Sequence, residues 1–339
     1  MIRAVRAINL DAKSNPSITM KLDGLRTGPF TLWHIEGIGP GEADINVTEL
    51  ASTDGASYNS ARLNSREITL TLIFNWFDGS IEAARHYSYQ YFPLKKKVRL
   101  IIFSTDNLAQ DISVVKRPNI ARYIDGYVKQ NRPDIFAATC ATEIVLKCPD
   151  PYFYSCSPLL IDSPENDLYE DVHEAIMGEP IGGLYFPLFF AQDHPISFGT
   201  STDPGTIVVS YPEYASETGC VFTLELTKNL DNPYPQITIW HIITGEKFIM
   251  DFSILKNYPD FSAGLQINDK ILISSITGKK DIEILRGGVY TSIVGVIRYD
   301  SIWPRIIPGS NVFRIYSDKE LEELGITCKV DYQERFTGI

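Results

Sequence analysis

Short apolar runs separated by turn-forming residues dominate this chain. In residues 68–73 and 221–226, apolar and polar side chains alternate, which is the period of a β-strand with one buried face. The runs are rich in Ile, Val, Thr, Tyr and Phe, and Gly, Pro, Asn and Asp lie between them. The pattern predicts a mainly β protein. From residue 207 onward it provides enough strands for a β-sandwich of two antiparallel sheets.

One segment of the first half follows a helical pattern instead. Ser80 can cap the first turn of a helix over residues 80–92, and Pro93 ends it. Ala84, Tyr87 and Tyr91 then fall on one inward-facing stripe. We therefore expect a single helix among the strands of the first domain.

A second helical pattern lies in residues 163–178. Leu168, Val172 and Ile176 are spaced four apart, and Gly178 stands where a helix would end. Five of the other positions in this segment are acidic: Glu165, Asp167, Glu170, Asp171 and Glu174. This spacing predicts a short acidic helix between two domains.

Residues 120–155 predict the end of a sheet. Two strands are expected over residues 122–128 and 138–146, with a turn at residues 131–133. Pro149 cannot donate to a sheet ladder, so the second strand should end at Cys148.

The length of 339 residues predicts two domains, and the charge distribution agrees with this division. The net charge is +2 for residues 1–160 and −13 for residues 161–339. We predict a first domain over residues 1–158, a junction over residues 159–185 and a sandwich domain over residues 186–339.

Composition and motifs exclude several function classes. An acidic surface repels phosphate, which argues against sequence-specific nucleic-acid binding. No run approaches the ~20 apolar residues that span a bilayer, so no membrane insertion is expected. The five cysteines form no Cys-x-x-Cys pair, and we expect reduced thiols. No pattern nominates a catalytic residue, a metal site or a cofactor site, so we expect none of the three.

A basic group in the first half is the one candidate site. It comprises Arg62, Arg66, Lys95, Lys96 and Lys97, on or beside predicted strands. The simplest interpretation is that the three lysines form a solvent-exposed turn and that the two arginines are exposed near it. The alternative is a subunit contact, in which these side chains meet carboxylates of a second copy and fix the register of a ring.

Several segments together resemble the distal tail protein (Dit) family of long-tailed bacteriophages, the siphoviruses. They are residues 63–74, the helix that follows, residues 92–103 and residues 120–155. Residues 301–311 and 332–339 look like the last turns of the second domain of that family. Residues 159–206 match no part of the family pattern.

The resemblance implies a fold and a role. The first domain would be a β-rich belt that closes into a homo-hexameric ring, and the second an outward-facing galectin-like sandwich. The protein would be a non-enzymatic hub at the distal end of the phage tail, made in the host cytoplasm. Its partners would be the tail tube protein, a tail-tip or tail-associated protein, and receptor-binding proteins.

Two other functions remain open from the sequence. A galectin-like sandwich could bind a carbohydrate on an exposed aromatic ring and contribute to attachment at the host surface, but the spaced polar set that galectins use is absent. A polysaccharide-degrading enzyme would need a carboxylate pair in a cleft, and the sequence nominates none.

Overall fold

The computed structural model describes residues 2–22, 28–49, 54–104, 120–134, 140–156, 171–178, 184–185, 197–198, 205–317 and 325–339. It is mainly β, as predicted. The chain divides into two compact units. The first comprises Met1–Asp171 together with Arg335–Ile339, and the second comprises Val172–Glu334.

The first unit contains one helix and eleven of the described strands. The helix is α1 (Ile81–Tyr91), and the strands are β1 (Ile2–Asn9), β2 (Ser17–Lys21), β3 (Phe30–Glu36), β4 (Ala43–Glu49), β5 (Ala56–Leu63), β6 (Arg66–Phe74), β7 (Lys97–Ser104), β8 (Ile120–Asp134), β9 (Ala141–Cys148), β10 (Phe153–Ser155) and, at the far end of the chain, β23 (Arg335–Phe336). The main sheet has the order β2-β1-β7-β8-β9-β6-β3, with β10 joining β8 to β23. Strands β4 and β5 form a separate two-stranded sheet.

Helix α1 confirms the predicted pattern. The Ser80 side chain accepts a hydrogen bond from the amide of Ala83 at 3.0 Å, which satisfies one of the free donors of the first turn. Of the predicted stripe, Ala84 is buried and Tyr87 and Tyr91 are half-buried, while Ser88 completes the buried face of the helix.

Strand β8 corrects the turn predicted at residues 131–133. These residues continue the strand and pair with Ile144, Glu143 and Thr142 of β9. Asn131, a common turn residue, instead accepts a hydrogen bond from the Thr142 hydroxyl at 2.9 Å. Pro133 is tolerated because β7 pairs with β8 only as far as Tyr127. Beyond Tyr127, the edge of β8 that faces away from β9 has no pairing with β7 that would need a backbone N–H donor. The predicted stop at Cys148 is confirmed.

In its described residues, the second unit has two larger antiparallel sheets and one two-stranded pair, β12 with β13. The larger sheets have the orders β11-β22-β15-β18-β19-β20 and β14-β21-β16-β17. The strands are β11 (His173–Ile176), β12 (Leu184–Tyr185), β13 (Ser197–Phe198), β14 (Thr206–Tyr211), β15 (Cys220–Leu226), β16 (Gln236–His241), β17 (Lys247–Asp251), β18 (Lys270–Ser274), β19 (Asp281–Arg286), β20 (Val289–Ser292), β21 (Gly309–Tyr316) and β22 (Ile326–Tyr332), with 3₁₀ helices at Phe252–Asn257, Pro259–Phe261 and Val294–Val296.

The core of the second unit lies between its two large sheets. Buried and half-buried positions alternate along β15. Phe222 of β15 meets Phe313 of β21 edge to face, with ring centroids 5.2 Å apart. This contact joins the two sheets and confirms a sandwich arrangement of strands. The galectin-like detail stays a prediction.

Strand β11 corrects part of the predicted acidic helix. His173–Ile176 pairs with β22, and the stripe expected to be buried is open, since Val172 and Ile176 are exposed. Pairing with β22 overrides the helical spacing, and Lys329 Nζ lies 2.5 Å from Glu174 Oε2 across the two strands. The rest of that helix prediction, and the boundary predicted after residue 158, lie outside the described residues.

All five cysteines are free thiols. Burial raises the pKa of Cys148 and of Cys220 to about 12, which keeps both protonated.

Candidate subunit interface

Strands β4 and β5 form a hairpin, here called the arm, in which almost every residue is exposed. The arm continues the β3–β6 pair, because β3 leads into β4 and β5 leads into β6. Within the main sheet β3 pairs with β6, but the arm adds no strand to that sheet. It is a two-stranded extension that a compact unit would not need for its own core.

The arm has one apolar face. Directly paired residues point to the same side of an antiparallel sheet, and three consecutive same-side pairs are apolar. They are Ala43 with Leu63, Ile45 with Ala61, and Val47 with Tyr58, the last across a bulge at Asn59. Ile45, Val47 and Tyr58 are 59 %, 50 % and 65 % exposed. Such a contiguous exposed apolar strip marks a surface for another protein.

The opposite face of the arm is polar. Asp44 pairs with Arg62, whose Nη2 lies 3.1 Å from Asp44 Oδ2. Asn59 donates to the Thr48 hydroxyl at 2.7 Å. The arm is therefore amphipathic, with one exposed polar face and one exposed apolar face.

The base of the arm turns sharply between β3 and β4. Gly37 has φ +81°, a left-handed conformation, and a Cβ there would lie 2.1 Å from the carbonyl oxygen of Glu67. Arg66 holds this turn from β6: its Nη1 donates to the carbonyls of Gly37 at 3.0 Å and Gly39 at 2.8 Å. The guanidinium lies over the Phe153 ring at 4.7 Å.

The three predicted lysines lie together between α1 and β7. Lys95 and Lys96 are exposed, and Lys96 Nζ lies 4.0 Å from Asp11 Oδ2. Lys97 Nζ lies 3.0 Å from Asp125 Oδ2.

Asp125 links this group to the buried Arg99. Burial acts to raise the pKa of Asp125, but hydrogen bonds from Arg99 and Lys97 outweigh it and lower the pKa below its ordinary value. Arg99 Nε lies 2.7 Å from Asp125 Oδ1, so the carboxylate stays charged and fixes both cations.

The sheet register extends these lysines into a wider basic face. Lys97 pairs with Tyr127, Tyr127 with Lys147, and Lys147 with Glu67, so the four side chains form one row on one side of the sheet. Lys129, the extra residue of a bulge in β8, reaches Glu67 Oε1 at 2.9 Å. Hydrogen bonds from Lys129 and Lys147 lower the pKa of Glu67. We call Lys95, Lys96, Lys97, Tyr127, Lys129 and Lys147 the basic face.

The structure separates the five predicted interface residues into three places. The lysines belong to the basic face, Arg62 to the polar side of the arm, and Arg66 to the arm base. Two strands, β8 and β9, stand between Lys97 on β7 and Arg66 on β6. At the usual strand spacing this is a separation of about 14 Å. Arg66 is only 6 % exposed and bonds backbone carbonyls of its own chain.

Sequence reasoning missed Tyr127, Lys129 and Lys147. Tyr127 lies inside a predicted strand, and Lys129 and Lys147 lie one residue beyond the predicted ends of the two strands, at positions where polar or aromatic residues interrupt apolar ones. Their alternation indicates an outward face, but only the register of β7, β8 and β9 places them beside Lys97.

Other classes of site find no support in the described parts of the chain. No helix among them is long and apolar enough to cross a membrane. No group of three or more His, Cys, Asp or Glu residues in those parts is arranged to hold a metal ion.

No family model and no curated protein matches the chain. Among solved structures, the chain is similar to the Dit protein of phage SPP1, described as a paradigm of the hub adsorption apparatus in phages that infect Gram-positive bacteria. The TM-score is 0.55 at 10 % sequence identity, over 98 % of this chain and 99 % of that one. The chain has the Dit fold.

Two structures of the phage P2 baseplate in its activated conformation, with Ca and with Sr, also match. Their TM-scores are 0.45 and 0.44 at 11 % identity, over 98 % of both chains in each case. The SPP1 match, with the higher TM-score, by itself covers both units of this chain.

Proposed function

We propose that this chain is a non-enzymatic structural protein of a phage tail, a hub whose first unit assembles into a closed ring. The observation that carries the proposal is the arm: a hairpin with an exposed apolar face, on a chain that shares the Dit fold over nearly its whole length. The SPP1 protein is described as a hub. In this chain, the exposed apolar face of the arm is a surface that could serve the same role.

The proposed ring forms by contact between two different surfaces of the first unit. The apolar face of one arm packs on the basic face of the neighbouring copy. Because the arm and the basic face are different surfaces, each copy can use its arm on one neighbour and its basic face on the other. A suitable rotation between copies then closes the ring. We propose six copies.

Charge supports this choice of occupant for the basic face. Residues 42–63 carry four acidic side chains and one basic side chain. The basic face presents five lysines, opposed by the three carboxylates of Asp11, Asp125 and Glu67. Complementary charge of this kind guides encounter and fixes register, while burial of Ile45, Val47 and Tyr58 provides most of the affinity.

The remaining partners follow from the role. We propose that the ring joins the tail tube protein to a tail-tip protein, at the distal end of the virion. The second unit, with its net negative charge, is then available to receptor-binding proteins.

The test is negative-stain electron microscopy with light scattering over a range of concentrations. We expect six-fold rings that dissociate on dilution. Ile45→Lys should raise the dissociation constant at least about tenfold, because it places a charge in the apolar contact and repels the basic face.

The control is the same substitution one residue along, on the polar face: Asn46→Lys should assemble nearly as the unaltered chain does. Reversal of Lys95 and Lys96 to Glu should weaken the ring and remove most of its salt dependence. Equal assembly of Ile45→Lys and Asn46→Lys would contradict the arm contact, and a chain that is monomeric at every concentration would contradict unassisted ring formation.

A further inference from the structure

The last five residues of the chain lie against the base of the arm. After leaving the second unit, Arg335–Ile339, here called the return segment, rejoins the first unit as β23 and pairs with β10. Arg66, which holds the arm base through Gly37 and Gly39, also donates from Nη2 to the carbonyl of Thr337 at 2.5 Å. One guanidinium therefore bonds both segments.

Further contacts join the return segment to the same place. The amide of Ile339 donates to the carbonyl of Ile38 at 3.2 Å. A Cβ on Gly338 would lie 2.9 Å from the nitrogen of Pro40, so the two backbones approach too closely for a side chain between them. Hence the return segment packs on the turn that aims the arm.

A second arginine anchors the return segment from its other side. Arg122 Nη1 donates to the carbonyl of Gly338 at 2.6 Å, and the Arg122 guanidinium lies 3.6 Å from the centre of the Phe336 ring. With Arg122 on β8 and Arg66 on β6, the segment is bonded from two strands of the main sheet.

The chemistry of Arg66 suits a latch better than a surface contact. A planar guanidinium has donors in fixed directions, and here three of its hydrogen bonds go to carbonyls of two chain segments that are remote in sequence. The side chain is buried, and replacing it by a single ammonium would leave carbonyls without their donors.

We infer that Arg66 is a positioning residue that locks the arm to the return segment, so that the direction of the arm depends on the strand by which the chain comes back from the second unit. The consequence for assembly rests on the proposed function of the arm. A load on the second unit that displaces Arg335–Ile339 would release the arm base, which makes the docking surface of the first unit sensitive to events in the second.

The direct test measures the arm itself in the full-length chain. Spin labels at Ser57→Cys on the arm and Glu143→Cys on β9, in a Cys140→Ser background, report the distance between arm and sheet at a concentration where the protein is monomeric. The unaltered latch should give one narrow distance peak. Arg66→Lys and Gly338→Ala should each lose that peak and give a broad distribution.

Two matched controls separate the latch from general effects. Arg62→Lys makes the same change four residues earlier, where the guanidinium bonds Asp44 on the exposed side, and should leave the distance peak narrow. Gly39→Ala adds a methyl group at the arm base where no atom lies within 4 Å, and should do the same. Amide exchange of β7 and β9 verifies that each variant is folded.

The double variant Arg66→Lys, Gly338→Ala decides whether the two act through one junction. If they do, it broadens the distribution no further than the stronger single variant. Additive broadening, or a narrow peak in Gly338→Ala, would overturn the inference. Rings that form normally from a chain with a broadened arm would overturn its role in assembly, whereas a chain that never forms rings counts against the proposed function and leaves the distance measurement to decide on the latch.

Discussion

His241 lies inside the second unit in a setting that favours the neutral imidazole. Its ring stacks on Phe313 with centroids 4.6 Å apart, and Nδ1 lies 3.0 Å from the Thr244 hydroxyl. Nε2 is buried without a hydrogen-bond partner among the described residues. Burial lowers the pKa of His241, the nearby Glu246 acts to raise it, and Arg305 acts to lower it, with a net lowering.

This setting predicts a pH dependence of stability. Because the folded-state pKa is lower than the unfolded value of about 6.5, the unfolded state binds the extra proton first as pH falls. The free energy of unfolding should therefore decline below about pH 6.5, by at most about 1.4 kcal/mol per pH unit from this one group. Denaturant unfolding at about pH 7.5 and about pH 5.5 measures the decline.

His241→Phe keeps a ring against Phe313 but removes the titrating group. The variant should show a smaller decline between the two pH values than the unaltered chain. An equal decline in both proteins would show that His241 does not titrate on unfolding in this range.

For single residues, the sequence identifies the residue type but not the residues that it contacts. Arg62 and Arg66 are indistinguishable as basic residues beside a strand, yet one is exposed on the arm and the other is buried against Thr337, 271 positions away. Lys97 likewise forms an ion pair with Asp125 on the next strand, which the sequence does not show. Only tertiary pairing separates a surface charge from an internal bond.

Among the elements, the arm depends most on one backbone conformation. Gly37→Ala should destabilise the first unit by more than the ~1–3 kcal/mol of a strained left-handed residue, because the added Cβ also meets the Glu67 carbonyl. Thermal unfolding followed by circular dichroism measures this loss.

Gly55 provides the matched control for that substitution. It has φ +102° but no atom within 4 Å of its Cβ position, so Gly55→Ala carries the conformational cost alone. Equal losses for Gly37→Ala and Gly55→Ala would show that the close approach at the arm base contributes nothing.

Elements with local signals were predictable and elements set by pairing were not. Helix α1 begins where Ser80 can cap it, a signal contained within four residues. In contrast, β8 runs through Asn131 and Pro133 because β9 offers a register that accepts them, and His173–Ile176 becomes a strand because β22 is beside it. The exposure of the apolar face of the arm could not be predicted either. The alternation of apolar and polar residues predicts a strand, but it does not show that the apolar side is exposed.

For the whole molecule, the two units should unfold as separate cooperative bodies. Phe222→Ala empties a site that is fully buried between the sheets of the second unit, and Phe103→Ala does the same in the first. Each should cost about 3–5 kcal/mol in its own unit. In calorimetry each variant should shift one transition only, and a shift of every transition by either variant would contradict separate unfolding.

The division into two domains was within reach of the sequence, because the charge changes sign near the middle of the chain. The return of Arg335–Ile339 to the first unit was not, because nothing in five residues shows which of two distant sheets they will join. The likeness to the SPP1 protein makes the same point, since the fold is shared at a TM-score of 0.55 although only 10 % of the residues are identical.

The pairing of β10 with β23 has a consequence for modularity. Phe153 faces Phe336 across this pair, and His173 faces Tyr332 across the first and last strands of the second unit. Both ends of the second unit are thus antiparallel neighbours, about 5 Å apart. The second unit is therefore an insertion within the first unit. Another domain whose terminal strands pair could replace it, and the pairing of β10 with β23 in the first unit would be kept. A lineage could in this way exchange what the second unit binds without redesigning the first.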